Sequence, residues 1–150
     1  SVQVEGMGAE YYSDYRELMR DCDVVSIHVP LTEQTRNMIT GRELGLMKST
    51  ALLINCSRGG IIDEADLAEA LNAGVIAGAG LDVFGEEPPK ADSSILRAKN
   101  IIVSPHSAAQ TREAVIHMAQ MCVKGCLAVL NGEKWPYVAD SKVYEHEKWR

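Results

Sequence analysis

The sequence predicts an α/β fold in which parallel strands alternate with helices in a doubly wound sheet. The first observation is a set of short apolar runs, residues 23–29, 51–55, 76–81 and 101–104, rich in Val, Ile and Leu and each stopped by a polar or turn-forming residue. The second is helix punctuation between them, clearest where Asp63 precedes Leu67, Ala70 and Leu71 at helical spacing and Gly74 closes the pattern. The order strand, helix, strand, helix then argues for a parallel sheet. The third is that several runs end in a turn bearing an ionisable group: Arg58, Glu87 or His106. Open α/β sheets place their ligands in the crevice at the carboxyl ends of the strands, so these residues gather the material of an acid/base site on one edge.

In chain order, Gly6-Met7-Gly8 invites comparison with a dinucleotide loop, but the third glycine of G-x-G-x-x-G would fall on Tyr11 and no strand precedes the first. A helix closed by Gly8, followed by a short strand over 10–12, fits better. Asp14 with Glu17 caps a short helix that has Leu18 and Met19 on its apolar side and ends near Asp21. Residues 23–29, stopped by Pro30, read as a buried parallel strand. His28 near its end reads as a hydrogen-bonded histidine before a catalytic one. Thr32 caps a brief turn, and Thr40 with Glu43 forms a capping box for a second helix.

After strand 51–55 and the helix from Asp63 to Gly74, the small residues Ala77, Gly78, Ala79 and Gly80 give strand 76–81 room for a close neighbour or ligand. Pro88 and Pro89 end regular structure, residues 90–99 form a polar loop with a short turn at 94–96, and 101–104 is the last strand. Val115, Met118, Ala119, Cys122, Cys126, Val129 and Leu130 mark one face of a long helix closed by Asn131-Gly132. Residues 133–150 read as a tail leaving the domain.

The 150 residues, 46% of them apolar, are enough for one core. A net charge of -6 without a basic run argues against a nucleic-acid partner. No apolar segment approaches the ~18 residues of a bilayer span, and residues 1–5 have no signal-peptide character, so a cytoplasmic chain without a membrane partner is expected. Cys22, Cys56, Cys122 and Cys126 lack CxxC spacing, which points to buried free thiols rather than disulfides, with no metal site.

Four motifs now stand in one order: Cys22 to Thr32 (CDVVSIHVPLT), Asn55 to Glu64 (NCSRGGIIDE), Gly78 to Phe84 (GAGLDVF) with Glu87-Pro88, and Ser104-Pro105-His106. Together they resemble the D-isomer-specific 2-hydroxyacid dehydrogenases over roughly residues 5–132. The resemblance implies that residues 1–132 are the C-terminal part of a Rossmann-like NAD-binding domain, lacking its first strand and glycine loop, and that 133–150 lead toward a substrate domain. NAD is the implied cofactor, with NADP left open, and a small 2-hydroxy or 2-oxo acid the implied substrate. A homo-oligomer is expected.

By that resemblance Arg58 matches the arginine that holds the substrate carboxylate, a task suited to a permanently charged, two-pronged guanidinium. His106 matches the general acid that protonates the carbonyl oxygen, and the base in the reverse direction. Glu87 matches its carboxylate partner, which favours the protonated ring. Asp82 matches a position near the nicotinamide. Pro30, Thr35, Cys56 and Ser57 match positions lining the cofactor cleft, although Thr35 reads equally as a helix-start hydroxyl and Pro30 as a strand terminator. Where the family commonly has a small residue and paired glycines after the histidine, Ser107-Ala108-Ala109 follows His106. The intact trio Arg58, Glu87 and His106 favours an oxidoreductase over the alternative, a corepressor-like binding module on the same fold.

Overall fold

The structure, a computed structural model, describes Gly6 and residues 8–149. It falls into two compact units, Ser1–Ala108 and Ala109–Arg150. The helix expected to end at Gly8 lies outside the described residues.

The first unit opens with α1 (Tyr15–Asp21), capped by the Asp14 carboxylate, which accepts from the Arg16 N–H. The strand expected over 10–12 is absent: residues 9–12 are irregular, and Tyr12 instead donates its hydroxyl to Asp21 at 3.0 Å. A strand needs a neighbour for its ladder, and none lies beside these residues in the sheet. The sheet comprises β1 (Val24–Ile27), β2 (Leu52–Asn55), β3 (Gly78–Leu81) and β4 (Ile101–Val103), all parallel and adjacent in sequence order. Between them lie α2 (Gly41–Leu44), held by the expected Thr40/Glu43 capping box, and α3 (Glu64–Ala73). Asp63 caps α3 by accepting from Ala65 and Asp66, and Gly74 closes it in the left-handed region at φ 72°. A short 3-10 turn, Ser94–Arg97, precedes β4.

Strands added successively on one side by right-handed crossovers put their connecting helices on one face of the sheet. Burial follows from that. Val25, Ile27, Leu53, Ala79 and Leu81 lie in the core with Leu44, Leu67, Leu71 and Ile95 from the helical side. Alternate residues face away, and Val24, Leu52 and Ile102 are 56%, 41% and 78% exposed. The expectation of strands buried on both faces therefore holds for one face only.

The second unit is built on α4 (Arg112–Leu130), capped by Thr111 and ended at Asn131, with Gly132 at φ 78°. The Trp135 indole lies against Gly125, where a Cβ would meet its Nε1 at 3.3 Å, and Tyr144 donates to the Trp135 carbonyl at 2.7 Å. Two expectations are corrected here. With 19 residues and a mean hydropathy of 1.4, α4 is long and apolar enough to cross a membrane. Its apolar content was disguised by Glu113, His117, Gln120 and Lys124, whose spacing places them on one stripe, the pattern of an amphipathic helix. The thiols are free but not buried: Cys22 is half-buried, and Cys56, Cys122 and Cys126 are exposed. Within the unit, the face that carries Cys122 and Cys126 borders a cavity shared with Trp135, Tyr137 and Val138, so its cover is partial.

Candidate active site

The carboxyl end of β2 turns sharply because Asn55 organises it. Its buried side chain accepts from the Ser57 N–H at 3.0 Å and donates to the Arg58 carbonyl at 2.9 Å, a side-chain mimic of a backbone turn. Ser57 then ties this turn to the end of β1, its hydroxyl donating to the Val29 carbonyl at 3.0 Å. Cys56 and Arg58 are exposed on the turn. The Arg58 guanidinium folds back to donate to the Ser57 carbonyl at 2.6 Å, and it makes no ion pair among the described residues. At the end of β1, Thr35 donates its hydroxyl to the Pro30 carbonyl at 2.7 Å and accepts from the Thr32 N–H at 2.7 Å, so it builds the 30–35 turn. His28 lies just beyond the strand, 2.8 Å from the Ser26 hydroxyl, as a hydrogen-bonded histidine would.

Beyond β3, Asp82, Val83 and Phe84 continue inside the protein before the chain reaches the surface at Gly85. One oxygen of Glu87 accepts from the Phe84 N–H at 3.0 Å, and the other meets His106 Nδ1 at 2.7 Å. The hydrogen bond from the His106 ring, helped by the Phe84 N–H, holds the Glu87 carboxyl below the usual carboxylate range. The pair borders a cavity of about 210 Å³ walled by Phe84, Pro88, Pro89 and Pro105. A larger cavity, about 720 Å³, lies in the second unit against Met121, Val129 and Trp135, but its apolar walls and thiols bring no acid/base pair together.

His106 sits at φ 53°, in the left-handed region that costs a side chain free energy. Asp82 compensates for this. Its backbone carbonyl accepts from the His106 N–H at 2.9 Å, and its carboxylate accepts from the Ser104 hydroxyl at 2.6 Å and from the Ser107 and Ala108 N–H groups at 2.7 and 2.8 Å. Burial pushes this carboxyl up, but the Ser104 hydroxyl and the Ala108 and Ser107 N–H groups outweigh it and hold it below the usual range.

The structure thus joins Glu87 to His106 and Asp82 to the loop of His106. It joins Pro30 to Thr35 and Ser57 to Val29, and it links Arg58 to neither Glu87 nor His106 by a hydrogen bond or ion pair. Sequence reasoning missed the roles of Asn55 and Ser104. Asn55 was open to discovery, since Asn two residues before a serine and three before an arginine–glycine pair is a turn signal. Ser104 was not, because its partner lies 22 residues away.

Residues 1–108 match the model of the D-isomer specific 2-hydroxyacid dehydrogenase NAD binding domain. A glyoxylate reductase of Aeropyrum pernix is 43% identical over 137 residues, 91% of this chain and 41% of that protein. A D-3-phosphoglycerate dehydrogenase of Methanocaldococcus jannaschii is 45% identical over 86% of this chain and 24% of its own length. Among solved structures, the NAD-complexed D-isomer specific 2-hydroxyacid dehydrogenase of Lactobacillus delbrueckii ssp. bulgaricus superposes with a TM-score of 0.80 at 32% identity, over 90% of this chain and 45% of that one. The chain spans less than half the length of these relatives. With a Rossmann-like parallel sheet, the motifs at its carboxyl edge and a family match over most of its length, the chain belongs to the D-isomer specific 2-hydroxyacid dehydrogenases and carries part of their NAD-binding domain.

Proposed function

We propose that this chain serves an NAD-dependent oxidoreductase that interconverts a small 2-hydroxy acid and its 2-oxo acid. The observation that carries the reading is the Glu87–His106 pair at 2.7 Å on the same sheet edge as the Arg58 turn. Residues 1–132 are the C-terminal part of the dinucleotide-binding domain, and 133–150 lead toward the substrate domain. The glyoxylate reductase of Aeropyrum pernix is more than twice as long as this chain, which leaves room for a further domain.

The residues present fit the cofactor. Asp82 Oδ1 is filled by the Ser104 hydroxyl and the Ser107 N–H, whereas Oδ2 accepts from Ala108 alone, leaving capacity for a carboxamide N–H. Pro30, Thr35, Cys56 and Ser57 would line the rest of the cleft. NAD, when bound, supplies or accepts the hydride.

The protein's own groups do the remainder. Arg58 grips the substrate carboxylate in two-pronged fashion and fixes the orientation of the reacting carbon. Glu87 holds His106 by Nδ1, which leaves Nε2 to give a proton to the carbonyl oxygen in reduction or take it from the hydroxyl in oxidation. Paired to the carboxylate, the ring keeps one orientation throughout. The intact pair favours this reading over a binding module of the corepressor kind. The enzyme works as a homo-oligomer in the cytoplasm.

In the full-length polypeptide, His106→Ala is expected to lower kcat by about 10²–10⁴. Arg58→Lys is expected to raise KM for the acid and lower kcat, since an ammonium cannot reproduce the bidentate grip. Near-normal steady-state turnover by both variants overturns the reading.

A further inference from the structure

We infer that Glu64, at the start of α3, is a positioning residue of this site: it seats the 84–87 turn so that Glu87 meets His106. The inference rests on the acid/base reading above and extends it to a residue on a different element.

The 84–87 turn is exposed from Gly85 onward and runs into Pro88 and Pro89, so little of its own packing fixes it. Its position is set by contacts that converge from the Arg58 turn and from α3. Glu64 Oε1 accepts from the Gly85 N–H at 2.6 Å, a charge-assisted bond across 21 residues of sequence. Gly59, next to Arg58, packs directly on the Phe84 carbonyl, where any Cβ would collide with backbone. The neighbouring Phe84 N–H is the one that binds Glu87. Successive amides of one turn thus end on two carboxylates: Phe84 on Glu87, which orients the histidine, and Gly85 on Glu64.

Glu64 is a firm support for such a task. It follows the Asp63 cap directly, and the helix it begins buries Leu67 and Leu71 completely against the sheet. Its surroundings are polar, with the Lys90–Glu86 ion pair on the same cavity wall, and Glu87 itself is held by the Phe84 N–H and His106. Removing Glu64 therefore frees the Gly85 amide to solvent and lets the turn drift. The carboxylate of Glu87 then has a moving base, and His106 loses its fixed orientation while Arg58, on a turn of its own held by Asn55, keeps its place.

The test compares Glu64→Ala, Glu64→Gln and Glu87→Ala in the full-length polypeptide, reading amide exchange along residues 83–88 together with kcat and KM. Glu64→Ala is expected to speed exchange at both Gly85 and Phe84 by about tenfold or more. It should also lower kcat by about tenfold while KM for the acid stays within about twofold. Glu64→Gln keeps an oxygen that can accept from Gly85, and it is expected to restore both readouts. Faster exchange at Gly85 with Phe84 and kcat unchanged would make Glu64 merely structural and overturn the inference, as would a Gln variant no better than Ala. Glu87→Ala separates the two readings: if it leaves kcat intact, the acid/base assignment itself fails, whereas damage by Glu87→Ala with none by Glu64→Ala defeats only the role of Glu64.

Discussion

Asp82 is a buried carboxylate whose visible partners all belong to the loop that presents His106. The resemblance implied a place near the nicotinamide, and the structure adds a second task, holding a histidine in left-handed backbone. That task was not legible in the sequence, because the Ser104, Ser107 and Ala108 donors are 22 to 26 residues distant and only the fold brings them round. The pairing has a pH signature. A carboxyl held below its unfolded value stabilises the native state above about pH 3.9, and the contribution is lost as pH falls through the depressed native value. Asp82→Asn removes that dependence and turns an NH2 toward N–H donors, leaving buried groups in conflict. Urea midpoints followed on acidification below about pH 5 are expected to fall more steeply for the wild type than for the variant, which starts lower at neutral pH. Parallel curves would show that Asp82 is not ionised in the native state. His106 and Arg58 were legible for the opposite reason: each stands at the end of its own apolar run, where motif and chemistry agree without any knowledge of partners.

Elements whose ends are fixed by local bonds were the ones the sequence disclosed. Thr40 with Glu43, Asp63 with Ala65 and Asp66, and the left-handed Gly74 all find partners within a few residues, so α2 and α3 could be read from spacing alone. The strand proposed over 10–12 failed because a ladder depends on a neighbour that spacing does not reveal. The burial of β1 was misjudged for a related reason: which face is covered is decided by the crossovers, and Val24 and Ser26 point away from them. The same locality makes the cap of α3 a clean test. Asp63→Ala removes the acceptor for two N–H groups and is expected to cost about 1 kcal/mol. Leu67→Ala, fully buried on the same helix, is expected to cost about 2–5 kcal/mol. Urea denaturation of both variants measures the contrast, and equal losses would mean that α3 is held by its end rather than by its face.

At the scale of the whole chain, the first unit presents two kinds of unsatisfied surface. β1 is bonded to β2 on one side only, and among the described residues no strand pairs its outer edge. The sheet face away from the helices carries Val24, Leu52 and Ile102, all exposed. All-parallel sheets are ordinarily covered on both faces, and an open edge is a template for another chain. In the family's strand order the position beside β1 belongs to the first strand of the domain, which also carries the glycine loop that seats the pyrophosphate. Residues 1–150 on their own are therefore expected to bind NADH weakly, as fluorescence titration would show, and to associate. Net charge opposes that association, since -6 per chain is repulsive at neutral pH, whereas the apolar face favours it. Salt screens the first and strengthens the second, so sedimentation at micromolar concentration should show self-association that increases from about 0.05 to 0.5 M salt. Association that weakened with salt would point to charge pairing instead of the bare sheet. A monomer at every salt concentration, with slow amide exchange throughout residues 24–27, would mean that the edge and face are already covered within the chain.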